Sequence, residues 1–390
     1  MISVAEALEK LFALAPAIEV ETVPIRKAGG RVLAQAVEAK LTQPPFAASA
    51  MDGYAVFGSG AAPGDRFDVI GEAQAGRGYT GILAKGQAVR IFTGAPVPAG
   101  SGVVVIQEDV DRSGDQITIK TSLGGGDNIR PAGGDFLKGT TFAAPRHLKP
   151  SEIALLAAIN IAEVPVYRRP DIAIISTGDE LVQPGEEPGP DQIIASNAYG
   201  LAALIEEQGG VPRLLPIARD DPASLEMVFD LARGADLVVT IGGASVGEYD
   251  LVGQVAAERG MDRAFYKVAM RPGKPLMAGR LDGAMMIGLP GNPVSALVCG
   301  TVFLVPVMRA MLGLGAAPAP RVRLPLAEPV EANGPREHYM RARITDGAIA
   351  PAKRQDSALL SVLASADALL IRPPHDAARA IGEMVEAILL

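Results

Sequence analysis

The sequence predicts a multidomain protein of mixed α/β and β class, with a doubly wound α/β domain set between a β-rich region and a small final β domain. Three observations predict it. After Arg168-Arg169-Pro170, apolar β-branched runs alternate with amphipathic stretches of helical length, which is the βαβ pattern of a parallel sheet. From about 20 to 150, short β-branched runs are separated by clusters of Gly and Pro, as strands joined by tight turns would be. Gly313 to Pro320 is rich in Gly, Ala and Pro and marks a linker before a last block of short strands.

The elements follow in chain order. Ser3 with Glu6 forms a capping box, and Val4, Leu8, Leu11 and Ala15 recur at helical spacing, so an amphipathic helix opens the chain. Ala88 to Phe92 and Val103 to Gln107 are strands of the β-rich region. Strand Ile172 to Ser176 leads to a helix from about Asn197 to Gln208, ended by Gly209-Gly210. Strand Val211 to Ile217 and a helix opened by Asp221-Pro222 come next. Strand Leu237 to Ile241, a helix from about Asp250 to Arg259, strands near 265 to 269 and 284 to 288, and a helix beginning near Pro293 complete the series. Residues 283 to 308 carry no charge, but Pro290, Gly291 and Pro293 interrupt them. Val294 to Met308 therefore suits a buried helix better than a membrane span. Glu6 and Glu9 precede any apolar run, which argues against a signal peptide.

Composition bounds the function classes. With 390 residues and roughly 150 per domain, two to four domains are expected. Hydrophobic residues at 48% and charged residues at 21% indicate a globular chain. A formal net charge of −8 provides no global positive field for a nucleic-acid backbone. A small anion would instead be held by local cations and backbone N–H groups. Cys299 is the only cysteine and lies in an apolar stretch, so no intramolecular disulfide forms and a reduced cytoplasm fits. His147, His338 and His375 are scattered and give no zinc ligand set. A metal here would be hard and oxygen-bound, such as Mg²⁺.

In an open parallel sheet, ligands bind beyond the carboxyl ends of the strands. Three loops there carry unusual residues. The first, Gly242-Gly243-Ala244-Ser245-Val246-Gly247, is followed by Glu248 and Asp250; its glycines would let backbone N–H groups approach a ligand, or would simply make a turn. The second, Ser176-Thr177-Gly178-Asp179-Glu180, places two carboxylates that could hold Mg²⁺ or cap a turn. The third, Pro290-Gly291-Asn292-Pro293-Val294-Ser295, launches an apolar helix and would stabilise an oxyanion with free N–H groups. Just upstream, Lys267, Arg271 and Lys274 suggest an anion pocket, or a solvated basic face. No Gly-Lys-Ser/Thr of a P-loop and no dinucleotide fingerprint is present, which demotes ordinary NTPases and dehydrogenases.

Seven strings, in this order, resemble the molybdopterin molybdenumtransferases, the family of bacterial MoeA and the E domain of gephyrin. They are MDGYA at 51–55, RIFTGAPVPAG at 90–100, NIRPAGGD at 128–135, STGDEL at 176–181, GGASVGEYD at 242–250, PGKP at 272–275 and LPGNPVSA at 289–296. The resemblance implies an N-terminal helical and β domain from 1–45 with 137–169, and an inserted β-rich domain at 46–136. A molybdopterin-binding α/β domain at 170–317 and a C-terminal β barrel at 318–390 would follow. It also implies a homodimer with a shared active site, in which Asp52, Thr93 and Asp135 face the α/β domain of the partner.

Carried onto this chain, the resemblance assigns Glu180 and Asp250 to catalysis beside those three, and Asp179, Glu180 and Asp250 to Mg²⁺. Gly242, Gly243, Ser245, Pro290, Gly291 and Asn292 would cradle the pterin substrate. Arg271, Lys274, Ser295, Arg336 and Ser357 would bind molybdate, with Arg341 a possible substitute for Arg336. Arg271 stands where many relatives carry lysine, keeping the charge but presenting a planar fork. The implied reaction is insertion of molybdate into adenylyl-molybdopterin with release of AMP, in the cytoplasm, without nucleic acid or membrane. A molybdopterin-adenylylating enzyme would act upstream and apo-molybdoenzymes would receive the product. Two other readings are a scaffold of the same fold and the adenylylating enzyme itself. Retention of Asp52, Asp135, Glu180 and Asp250 disfavours the first, and the extra N- and C-terminal regions disfavour the second.

Overall fold

The computed structural model describes residues 1–58, 60–122, 124–243 and 251–390. Two compact units emerge: one of Met1–Glu21, Gly30–Ala34 and Val166–Leu390, the other of Thr22–Gly29 and Gln35–Pro165.

The larger unit is built on a six-stranded sheet in the spatial order Val211–Leu214, Asp171–Ser176, Leu237–Ile241, Ala284–Leu289, Met277–Leu281 and Asp262–Tyr266. The first four strands are parallel, and Met277–Leu281 runs antiparallel to both of its neighbours. Residues 172–175 and 237–239 within these strands read as unbroken apolar runs because helices cover both faces. On one face Ile172, Ile174, Leu237 and Val239 pack with Leu201, Ile205, Val298 and Phe303, while on the other Ala173, Ile175 and Val238 pack with Leu225, Val228, Phe229 and Val255. The covering helices are Asn197–Glu207, Pro222–Leu231, Leu251–Glu258 and Pro293–Cys299. Pro222 sits in the first turn, and the Asp221 side chain accepts from Ser224 N–H at 2.8 Å, a proline-plus-aspartate start.

Two strand boundaries differ from expectation. The strand that starts at Val211 stops at Leu214, and the strand expected near 265–269 is Asp262–Tyr266 at the sheet edge. Met277–Leu281 was not anticipated; it returns through Asp282-Gly283, both at positive φ (51° and 85°). That is the backbone of a two-residue type I′ hairpin turn. The apolar helix from Pro293 runs on through a π segment, Gly300–Leu304, into Val305–Met311. As a whole Pro293–Met311 is long and apolar enough to cross a membrane, but 72% of its most apolar window is buried within the protein, as a core helix would be.

The opening helix Val4–Leu14 carries the expected capping box and buries Val4, Ala7, Leu8 and Leu11 in the same core. After the exposed linker the strands Val322–Pro325, Glu337–Thr345, Ala348–Pro351, Ala368–Arg372 and Met384–Leu389 pair into a sheet. Leu326 bridges Ile349, and Ala327 N–H donates to Ile349 O at 2.9 Å, so the pairings return on themselves. Met270–Arg271 joins this sheet alongside Glu337–His338.

The smaller unit holds another six-stranded sheet, in the order Ser101–Ile106, Gly53–Phe57, Gln87–Ile91, Arg66–Ala73, Gln116–Ile119 and Val110–Ser113. Alternation puts Tyr54, Val56 and Val105 in one core and Ala55, Val89 and Val104 in the other.

Candidate active site

Three loops leave the parallel strands at one level, because Ser176 is in register with Ile241 and Ile241 with Leu289. Backbone bonds hold them side by side: Thr177 N–H donates to Ile241 O at 3.0 Å and Gly242 N–H to Leu289 O at 3.1 Å. Gly243 is at φ 63°, and a Cβ there would lie 2.2 Å from Val252 Cγ2. Only glycine fits this turn against the following helix. Gly242 is at φ 91°, and a Cβ on Gly291 would lie 3.4 Å from the Gly242 Cα. Asn197 Nδ2 donates to Gly291 O at 2.6 Å, fixing the third loop from a neighbouring helix.

Asp179 and Glu180 are exposed at the end of the first loop. Asp220 N–H donates to Asp179 Oδ1 at 3.3 Å, and the Glu180 carboxylate folds back beside Gly178. Ser245 and Asp250 lie outside the described residues. Among the described residues no three His, Cys, Asp or Glu side chains converge. The oxygen donors of Asp179 and Glu180 are of the type Mg²⁺ takes, but two carboxylates alone leave its shell to water and substrate.

A cavity of about 360 Å³ opens beside the third loop. Arg271, Lys274, Ser295, Arg336 and Ser357, the proposed molybdate ligands, all line it, together with Pro290 and Asn292. Arg271, Lys274 and Arg336 bring three cations against one lining carboxylate, Asp356, whose Oδ1 accepts from Ala358 N–H at 2.8 Å. Arg336 is on the cavity wall and Arg341 is not. Gly273 (φ 105°) lets the PGKP turn settle onto the helix below, since a Cβ there would be 2.4 Å from Cys299 Sγ. The amides after Pro293 are not all open to a ligand, because Val294 N–H donates to Ser357 O at 3.1 Å. That bond joins two walls of the cavity.

Sequence reasoning missed Gln355 and Asp356 on the wall and the charged layer behind it. His338 pairs with Arg271 on one side and Arg372 on the other. It is 7% exposed, its Nε2 has no partner, and its pKa is pushed down to about 4. Burial is the main cause, followed by Arg271, Arg341, Arg372 and Arg336. Burial also pushes the Cys299 thiol well above its ordinary range, leaving it unreactive.

In the smaller unit Asp52 and Thr93 are brought together. The Asp52 carboxylate accepts from Thr93 N–H and Thr93 Oγ1, both at 2.7 Å, and these bonds hold its pKa below the usual carboxylate range. Asp135 is exposed, follows the strand Ile129–Arg130, and forms no side-chain bond to either. Arg90 of the same motif is structural: it stacks 4.9 Å from both the Tyr54 and Phe92 ring centroids and donates to Gln107 Oε1 at 2.6 Å.

Comparison with known proteins agrees along the whole chain. Three family models match: "MoeA N-terminal region (domain I and II)" over residues 2–160, "Probable molybdopterin binding domain" over 173–310 and "MoeA C-terminal region (domain IV)" over 323–390. A molybdopterin molybdenumtransferase of Nostoc sp. is 38% identical over 355 residues, covering 87% of this chain and 81% of that protein. Molybdopterin molybdenumtransferase 2 of Mycobacterium tuberculosis is 41% identical over 305 residues, or 75% of each chain. The crystal structure of the molybdopterin biosynthesis moea protein from Pyrococcus horikosii superposes with a TM-score of 0.81 at 32% identity, covering 100% of this chain and 99% of that one. With its three regions in order, its glycine-pinned loops and its cation-lined cavity, this chain belongs to the molybdopterin molybdenumtransferases, the transferases of molybdenum cofactor biosynthesis.

Proposed function

We propose that the protein inserts molybdate into adenylyl-molybdopterin, with Mg²⁺-dependent release of AMP. The observation that carries this reading is the convergence of Arg271, Lys274, Ser295, Arg336 and Ser357, from separate stretches of chain, on one cavity that the third loop also lines through Pro290 and Asn292. Arg271, Lys274 and Arg336 offset the charge of a tetrahedral dianion, and the Ser295 and Ser357 hydroxyls complete its hydrogen bonds. Gly243, Ser245, Gly291 and Asn292 would orient the pterin phosphate through N–H, hydroxyl and amide donors, while Gly242, whose N–H is bonded to Leu289 O, and Pro290 would shape the loops that present them. Asp179, Glu180 and Asp250 would hold Mg²⁺, which when bound supplies positive charge at the phosphoanhydride. No side-chain nucleophile is needed, since the dithiolene sulfurs of the substrate themselves capture the metal.

The functional molecule in this reading is a cytoplasmic homodimer whose Asp52, Thr93 and Asp135 act at the partner's site. It takes its substrate from an adenylylating enzyme and passes its product to apo-molybdoenzymes. The test is to supply adenylyl-molybdopterin, molybdate and Mg²⁺ to the purified protein, then measure AMP and metal-bearing cofactor together. Lys274→Ala is expected to raise the molybdate requirement about ten- to a hundredfold, the loss of one charge-assisted hydrogen bond. Failure to release AMP under any condition would leave a scaffold, and formation of adenylyl-molybdopterin from ATP would point to the upstream reaction instead.

A further inference from the structure

Two arginines are buried in the C-terminal sheet, and they are treated differently. Arg372, 2% exposed, is fully provided for: Nε donates to Asp376 Oδ2 at 2.6 Å, Nη1 to Glu331 O at 3.0 Å and Nη2 to Ala377 O at 2.6 Å. Arg341 is 0% exposed, yet its Nε and Nη1 have no partner. Only Nη2 is engaged, donating to Asp356 O at 3.0 Å, and no carboxylate pairs with the guanidinium among the described residues. A buried charge left uncompensated is costly, so a fold that keeps one has a use for it elsewhere.

The use is indicated by position. Arg341 backs onto the wall of the cation-lined cavity: its N–H donates to Gln355 Oε1 at 3.0 Å, Gln355 Nε2 donates back to Arg341 O at 2.9 Å, and Gln355 and Asp356 both line that cavity. We propose that Arg341 is a specificity-determining residue that reads the charge of the oxyanion, making the cavity favour a tetrahedral dianion over a tetrahedral monoanion of the same size. Its field acts through protein and not through water, so it is weakly screened, and a dianion gains twice what a monoanion does. Burial holds the guanidinium's pKa below its ordinary value, with Asp356 opposing the shift and Arg271 adding to it. An arriving anion relieves that strain. The inference rests on the reading of the cavity as the oxyanion pocket.

The experiment titrates molybdate and perrhenate, a dianion and a monoanion of matching shape, into native protein, Arg341→Met, Arg341→Lys and Lys274→Ala by calorimetry, with unfolding midpoints measured without ligand. Native protein is expected to prefer molybdate, and Arg341→Met to cut that preference at least tenfold while its ligand-free midpoint holds or rises. Arg341→Lys, which keeps the charge, should retain the preference. An unchanged preference in Arg341→Met, a lowered midpoint with equal loss of both anions, or loss of preference in Arg341→Lys would each overturn the inference; the last applies even if Arg341→Met does not fold. Lys274→Ala separates the two levels of argument. If it binds molybdate as well as native protein, the pocket reading itself fails; if it weakens binding while Arg341→Met keeps the preference, only the role of Arg341 fails.

Discussion

At the residue scale, His338 shows how a charged neighbourhood sets a protonation state. Surrounded by Arg271, Arg341, Arg372 and Arg336 and cut off from water, its imidazole stays neutral until about pH 4, against about 6.5 for an unfolded chain. Above 6.5 both states are neutral and the full stability is present. As pH falls from 6.5 towards 4, the unfolded chain takes up a proton that the folded one refuses, so stability falls across that window. Chemical denaturation at steps between pH 4.5 and 7 should show this slope, and His338→Gln should flatten it. A slope unchanged by the substitution would assign the effect to other groups. In the sequence His338 is merely one of three scattered histidines. Its burial is created by pairing with Arg271 and Arg372, and no local pattern announces pairings between distant segments. The same holds for Arg341: REHYMRARI alternates like a strand with an exposed face, but the Arg341 side of it is covered.

At the scale of elements, the PGKP turn and the helix Pro293–Cys299 are fitted to each other at one point. Gly273→Ala places a methyl 2.4 Å from Cys299 Sγ at φ 105°, combining overpacking with backbone strain; each is worth about 1–3 kcal/mol. Cys299→Ala removes the obstructing sulfur. Gly273→Ala is therefore expected to cost less in the Cys299→Ala background than alone, by about 0.5–2 kcal/mol in a double-mutant cycle of unfolding free energies. Strict additivity would mean that the contact does not limit the turn. Elements like these were readable where local chemistry decides them: Asp221-Pro222 starts a helix, and Leu237–Ile241 is a strand bounded as expected. The hairpin between Met277 and Leu289 was not read, although Asp282-Gly283 is a strong hairpin signal. The uncharged run from 283 to 308 carries no polar residue that would mark where strand ends and helix begins except in the turn at 290–293.

For the whole molecule, the proposed dimer makes a prediction that one subunit cannot satisfy. If Asp52 of one subunit serves the site holding Asp250 of the other, then Asp52→Asn and Asp250→Asn proteins, each inactive alone, should recover up to about a quarter of native AMP release when mixed and reassembled. Mixtures as inactive as their parents would remove the shared site. The order of regions along the chain was legible because each carries its own motif, from MDGYA to LPGNPVSA. The cavity was legible only as a list of candidates, since its walls come from the PGKP turn, the loop before Pro293 and two loops of the C-terminal sheet. Tyr339, Leu369, Ile371 and Ile388 of the C-terminal sheet share a single core with Leu289, Val294 and Met308, while residues 315–318 between the two regions are exposed. The association of the two regions therefore rests on this shared core as well as on the covalent connection. Protein nicked at that segment should elute as one particle and melt in a single calorimetric transition, and the two fragments, expressed separately as a split protein, should recombine.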